Sequence, residues 1–373
     1  MGKPTGLIQL GGQWVGVILC LGLVLILGGC QLPRRPAVDR LFLPLTLSEV
    51  TSAAWPMLTA EPSPVAGLTY DPQVDRYVSL SVQGQIDTLD LTSPETAASP
   101  EAHGLHPPGV TLQWAGAEAN DPEAIAVQGL VWENAHQIWV MGEDSPGTQL
   151  LVGRFQMPAG RQETALRLPP TYGVLDDAKD ARPLPPFGGI TLSPDRERLF
   201  ALLSRPLPQD EPPTQPDAVS ICRLLHYYLV TPEPTLVAEH GYPLDPELVA
   251  TGQAQVVGLL AVDAAGRFLT LEVGGTLDHP QAKLFQVTTA GATDTLAIKS
   301  LAQPVSGVRL LRKRLVADLS HTAPSVGLPH TLSWGADLTD GSQRILVLSR
   351  NSDTNVETLL QFRLSREGTL APT

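Results

Sequence analysis

The sequence predicts an all-β β-propeller of six blades, five of them countable, behind an N-terminal lipoprotein signal peptide. Pairs of short apolar strands joined by a turn recur along the chain. Each pair is followed by a third strand of similar type, and no long stretch of period 3.6 competes. The 35 prolines and 33 glycines among 373 residues suit a chain built from many turns.

The first element is an apolar run from Val15 to Leu27, with Lys3 the one charge ahead of it. That is about the length of a signal-peptide core and short for a bilayer span. The run ends in Leu27-Gly28-Gly29-Cys30, which resembles the bacterial lipobox, where the chain is cut before a cysteine already carrying lipid. Small residues before Cys30 let an extended backbone enter the peptidase. The rival is an uncleaved anchor helix from about Ile8; Arg34 and Arg35 weigh against it, because a chain leaving the cytoplasm would place them on the wrong side. Residues 1–29 are therefore expected to be a signal peptide and Cys30 the lipidated residue. The expected partner is the membrane, on the periplasmic or outer-membrane side, and Gln31 suits an outer-membrane address. Cys20 would leave with the signal. Cys222, within the apolar stretch Ile221–Val230, reads as a buried small hydrophobe rather than a nucleophile.

Residues 30–64 read as a proline-rich tether with one early strand, Leu41–Leu47, placed to close a ring as the outer or inner strand of the C-terminal blade. Residues 65–373 read as the propeller domain. Its hairpins run from Gly67 to Ser81, Ala124 to Met141, Gly189 to Ser204, Gly258 to Glu272 and Gly335 to Arg350, each turning on Asp, Pro, Asn or Gly. Third strands follow at Gln85–Leu91, Gln149–Met157, Leu224–Val230, Lys283–Thr289 and Thr358–Leu364, and fourth strands at Thr235–His240 and Thr295–Leu301. A sandwich needs no such repeat, whereas a propeller buries each meander against its neighbours. The copies lie about 55–75 residues apart, longer than a standard blade, so loops are inserted. Arg205–Pro216 is one of these and reads as an exposed linker.

Composition removes several function classes. A net charge of −13, from 25 basic and 38 acidic residues, disfavours nucleic acid and anionic headgroups as partners. Three cysteines make no disulfide framework, and C-x-x-C is missing. There is no Gly-x-Ser-x-Gly elbow, phosphate loop, dinucleotide glycine motif or H-E-x-x-H. His103 and His106 stand three apart, but Gly104 and Pro107-Pro108 make their segment a loop rather than a metal-binding helix.

GLTYDPQVDRYVSLS, DPEAIAV, FGGITLSPDRERLFALLS, VDAAGRFLTLE, LTDGSQRILVLSRN and LLQFRL resemble, in order from Val65 to Leu364, segments of the esterase-like-activity-of-phytase family. The resemblance implies a propeller and hydrolysis of ester or phosphate-ester substrates. Carboxylates holding Ca²⁺ at the channel mouth would neutralise such a substrate and activate water. The family pattern sets an acid before a first strand, as Glu-Gly-hydrophobic. By that pattern Glu123 is a candidate catalytic and metal-binding residue. Glu143, beside it in role, is a candidate for both, and Asp144 a candidate metal ligand. The rival for Glu123 is a solvated turn, and for Asp144 a side chain bonding its own turn. Gly188, Trp334, Val82 and Arg350 stand where acids are common in the family, so the resemblance implies a weakened metal site. Arg350 is expected to pair with a nearby acid. Two functions follow: an ester hydrolase, or a non-catalytic propeller that binds a protein, glycan or small ligand at the cell envelope. A purely structural envelope lipoprotein is the third.

Overall fold

The computed structural model describes residues 41–54, 64–72, 75–89, 109–115, 124–144, 147–172, 183–213, 219–230, 233–252, 254–276, 279–321, 327–351 and 356–366. The apolar run, Cys30, His103, His106 and Glu123 lie outside them. Blade one comprises β2 (Val65–Asp71), β3 (Arg76–Ser81), β4 (Gln85–Leu89) and β5 (Val110–Thr111). Blade two comprises β6 (Ile125–Asn134), β7 (Gln137–Asp144), β8 (Leu150–Gln156) and β9 (Arg161–Ala165). Blade three is β10 (Phe187–Leu192), β11 (Arg198–Leu203), β12 (Ile221–Tyr228) and β13 (Thr235–Pro243). Blade four is β14 (Gln255–Ala261), β15 (Arg267–Thr276), β16 (His279–Thr288) and β17 (Arg312–Asp318). Blade five takes β18 (Leu328–Trp334), β19 (Gln343–Arg350) and β20 (Glu357–Arg366) from the C-terminal end, and β1 (Leu45–Ala54) as its outer strand. A single helical turn, α1 (Pro246–Val249), is capped by Asp245, whose side chain accepts from the Glu247 and Leu248 amides.

The ring closes at five blades, which corrects the expectation of six. The inner strands meet in a cycle: β2 on β6, β6 on β10, β10 on β14, β14 on β18 and β18 on β2. The extra length of the repeats lies in connections, as expected, notably 204–220 between β11 and β12 and 289–311 between β16 and β17.

Second strands are covered on both faces by neighbouring blades, and therefore read as apolar runs without alternation. Arg198–Leu203 is buried at every residue after the first, and Ile138, Trp139 and Val140 have no exposed surface. The core is accordingly a series of wedges. Val78, Leu130 and Val140 cluster between blades one and two, and Leu271, Leu332 and Val347 between blades four and five.

Two local expectations change. Thr295–Leu301 is not a strand; blade four takes β17 as its outer strand. The segment crosses to blade three, where the Thr295 amide donates to the Glu239 carbonyl at 2.7 Å and the Leu301 amide to Asp210 Oδ1 at 2.7 Å. Nor is Arg205–Pro216 a bare linker. Leu207 and Asp210 are fully buried in it, because Asp210 pairs with buried Arg223. Cys222 is buried as expected, and burial pushes its thiol well up.

Candidate functional site

The site is the central channel, and a repeated irregularity shapes it. In every blade the inner strand slips register at one matching level against its neighbour: between Val65/Gly67, Val127/Gly129, Phe187/Gly189, Val256/Gly258 and Pro329/Thr331. Each slip is a β-bulge that leaves one unpaired residue on the inner strand. The five are Ala66, Gln128, Gly188, Val257 and His330. All line a waist of about 30 Å³, room for a single water.

In blades one, three and four the next residue marks a close approach of neighbouring blades. A Cβ on Gly258 would lie 2.3 Å from Leu332 Cβ, one on Gly189 2.6 Å from the Leu259 amide nitrogen, and one on Gly67 2.9 Å from Gly129 Cα. Gly67, Gly189 and Gly258 thus fit places where strands crowd the axis, while blade five carries Thr331 at the matching place.

The bulge ring sets which residues are equivalent from blade to blade. Gly188 occupies the position where the family's glutamate was expected, and its equivalent in blade five is His330 rather than Trp334. In blade two it is Gln128, five residues beyond Glu123. The ring therefore carries methyl, amide, hydrogen, isopropyl and imidazole groups, and no carboxylate. Gln128 Oε1 accepts from the Phe187 amide at 2.8 Å, a bond from blade two to blade three.

Acids stand around this mouth without converging. Glu143, at the end of β7, is half-buried; burial raises its pKa, opposed by a hydrogen bond from Gln128, while Asp144 adds to the rise and Arg205 opposes it. Asp144 Oδ1 accepts from the Thr148 and Gln149 amides at 2.7 and 2.5 Å, and Oδ2 from the Thr148 hydroxyl at 2.6 Å, so both its oxygens hold their own turn. Arg350 pairs with Glu357, whose Oε1 also accepts from the Val65 amide across the ring closure at 3.2 Å. His330 Nε2 lies 3.7 Å from Glu357 Oε1. Burial, then Arg350, depresses the imidazole pKa to about 4, so it is neutral at pH 7. Among the described residues no three His, Cys, Asp or Glu side chains come together as metal ligands. A Ca²⁺ site needs six to eight oxygens, mostly carboxylate and carbonyl, and this mouth does not fit one.

The opposite mouth, where the inner strands end, opens into a funnel of about 490 Å³. That volume is within the range of small-molecule pockets, roughly 300–1,000 Å³. Its floor is the apolar collar Leu68, Leu130, Ile190 and Leu332, shared with the waist. The rim is set by the last inner-strand residue facing it in each blade: Tyr70, Trp132, Leu192, Ala261 and Trp334.

Glu357, Gln128 and His330 were missed in the sequence. A signal was available for Gln128, which directly precedes the residue that recurs as Gly67, Gly129, Gly189 and Gly258; His330 precedes Thr331, which breaks that recurrence.

Residues 65–353 match the family model described as Phytase-like: Esterase-like activity of phytase. The sequence matches no curated protein. Among solved structures, one titled "Structure of Dos1 propeller" aligns with a TM-score of 0.37 at 6% identity, over 80% of this chain and 68% of that one.

Proposed function

The chain belongs to the phytase-like family, and on that premise we propose a lipid-anchored envelope propeller that captures a small ligand in its funnel rather than a metal-dependent esterase. The observation that carries it is the contrast between the two mouths. One has a waist the size of a water ringed by Ala66, Gln128, Gly188, Val257 and His330, while the other has ligand-sized volume and three aromatic side chains. The test is thermal unfolding against a panel of neutral saccharides, amino acids and organic acids. A ligand bound only by the folded protein raises the midpoint by mass action, and the rise should vanish in Trp132→Ala. A panel that leaves the midpoint unmoved refutes ligand capture.

Ester or phosphate-ester hydrolysis is the second reading. The family description favours it, as does Glu143, a half-buried acid with a raised pKa in the narrow mouth. Its test is turnover of a chromogenic acyl or phosphate ester, lost in Glu143→Gln. Millimolar Ca²⁺ is expected to leave the thermal midpoint unchanged; a rise reversed by chelator would restore the metal-hydrolase reading.

The lipid anchor rests on Leu27-Gly28-Gly29-Cys30. Radiolabelled palmitate fed to cells should be incorporated into the protein, and the label should be lost in Cys30→Ser, which also keeps its uncut signal. A protein that takes up no label would contradict the lipobox.

A further inference from the structure

The connection from β16 to β17, with the strand it feeds, carries a charge opposite to that of the whole chain. Between Thr295 and Ala317 there is no Asp or Glu, whereas Lys299, Arg309, Arg312, Lys313 and Arg314 are all basic. Two of these cations are engaged inside the fold. Lys313 pairs with buried Glu272, and Arg314 bonds the Leu43 carbonyl and lies over Phe42. Lys299, Arg309 and Arg312 are exposed, and no carboxylate pairs with them among the described residues. The acids around the segment are already committed. Asp294 accepts from the Glu239 and Leu296 amides, both at 3.0 Å, while Asp210 and Glu239 are buried on Arg223. Asp318, at the far end of β17, is exposed and accepts from the Ser320 amide at 2.9 Å.

Apolar side chains are exposed along the same rim. Among the described residues eight large hydrophobic side chains are exposed, and four of them are Val237, Leu296, Val305 and Leu315. Backbone bonds string these four along one edge. The Leu311 amide donates to the Gly241 carbonyl at 2.9 Å, as the Thr295 amide does to Glu239, so the connection follows the outer edge of β13. The Thr293 amide donates to the Arg309 carbonyl at 2.8 Å and the Arg309 amide to Thr293 Oγ1 at 2.9 Å, which closes 294–308 into a loop. Val237 on β13, Leu296 and Val305 on the loop, and Arg309, Arg312 and Leu315 beyond its neck thus share the outer rim of blades three and four. Exposed cations interspersed with exposed apolar groups are the make-up of a membrane-interface surface.

The chain enters the ring at this rim. Phe42 and Leu43, which lead into β1, are held by Arg314 of β17. Cys30 stands eleven residues before Leu41, a span of at most about 40 Å when extended. Resting on the lipid-anchor reading, we propose that the outer rim of blades three and four docks on the membrane. Lys299, Arg309 and Arg312 bind anionic phospholipid headgroups, and Leu296, Val305 and Leu315 enter the interface. The net charge of −13 disfavours such lipids for the molecule as a whole. Charges farther off than a Debye length, about 8 Å at physiological ionic strength, are screened, so the cations of the docked rim decide the sign. Docked by its rim, the ring stands edge-on to the bilayer and keeps its funnel open.

The test uses a chain beginning at Gln31, which lacks the lipid and keeps every described residue. Its cosedimentation with phosphatidylcholine vesicles, with and without phosphatidylglycerol, is measured at low and high salt. Uptake should require phosphatidylglycerol and fall as salt rises. Arg309→Gln with Arg312→Gln should weaken it about thirtyfold, the effect of removing two cations near the surface. Leu315→Ser should weaken it at unchanged charge. Arg161→Gln with Arg167→Gln, which removes two exposed cations from the side of blade two, should bind as the parent chain does. All five side chains are exposed, so the thermal midpoint should not move. No uptake with phosphatidylglycerol present, uptake indifferent to it, or an equal loss in the blade-two variant overturns the proposal. Pelleting without vesicles that the rim variants abolish assigns the rim to a second copy of the chain and overturns it too. Palmitate labelling without vesicle uptake leaves the anchor standing and removes the docking face. Vesicle uptake without labelling keeps the docking face and removes the anchor.

Discussion

Arg223 has no exposed surface, yet it is a cation between two carboxylates, with Nε 2.5 Å from Asp210 and Nη1 2.6 Å from Glu239. Its Nη2 also donates to the Ile298 carbonyl at 3.0 Å, and Glu239 accepts from the Tyr172 and Thr295 hydroxyls at 2.9 and 3.0 Å. One guanidinium therefore ties β12 to two connecting segments and to β13, and through Glu239 to Tyr172. Arg223→Met leaves two buried acids uncompensated and should cost about 3–5 kcal/mol in denaturant unfolding. A loss below about 1 kcal/mol would show that the network is incidental. In the sequence Arg223 is only a polar interruption of Ile221–Val230. Its partners lie 13 and 16 residues away, separations that no local periodicity registers. Two histidines predict the acid limb of stability. Burial first, then His240 and Arg198, hold His226 at a pKa of about 4; it stacks on Phe200 with centroids 4.4 Å apart. His330 is held at about 4 by burial and then Arg350, with Glu357 on its other side. An unfolded histidine takes up a proton below about pH 6.5. Stability is therefore complete above that pH, and is lost as pH falls from about 6.5 toward 4, where only the unfolded chain binds the protons. The urea midpoint should fall between pH 7 and 4.5, and His226→Gln with His330→Gln should flatten that slope. An unchanged slope in the double variant would place the acid sensitivity elsewhere.

At the level of strands, the bulge decides how much could be read. Hairpins and third strands were legible because their alternation of apolar runs and turn residues is local. The bulge ring was not, because the unpaired residue is visible only once strands are paired. Blade five also carries Thr331 where the other four inner strands have the glycine after the bulge, so the next glycine, in Trp334-Gly335, stood in for His330-Thr331. The same geometry grades the glycines. Gly258→Ala puts a methyl 2.3 Å from Leu332 Cβ, and Gly189→Ala 2.6 Å from a backbone nitrogen, while Gly129→Ala meets only the flexible Met141 Cε at 2.8 Å. The first two should lose about 1–3 kcal/mol each, as overpacked cores do, and the third clearly less. Equal losses in thermal unfolding would mean that the strands yield, and that close approach at the axis does not set the blade number. Thr295–Leu301 failed as a strand for a related reason. A β-branched, apolar segment fits any buried surface, and this one finds blade three through hydrogen bonds that its own sequence does not encode.

For the whole molecule, what makes five meanders a ring is the noncovalent union of the chain's two ends. β1 pairs with β20 from Leu45 opposite Arg366 to Ala54 opposite Thr358, broken once between Glu49 and Thr51. Leu45 packs with Leu360, Phe362 and Leu364, and Arg314 adds a bond to the Leu43 carbonyl while lying over Phe42, 5.2 Å from its centroid. The early strand was legible as a closing element. Its role as outer strand follows from blade five, which already takes its three inner strands from the C-terminal end. A chain beginning at residue 64 would leave β20 as an open edge with unpaired backbone groups and uncovered Leu360 and Leu364, a template for intermolecular pairing. It should melt earlier than the longer chain and associate as concentration rises. Supplying residues 41–54 as a separate peptide should restore the midpoint in proportion to peptide concentration, because the peptide binds only the folded ring. Loss of stability that the peptide cannot reverse would mean that the N-terminal strand acts during folding rather than in closure. A truncated chain that stays monomeric and melts unchanged would mean that the blades hold the ring without it.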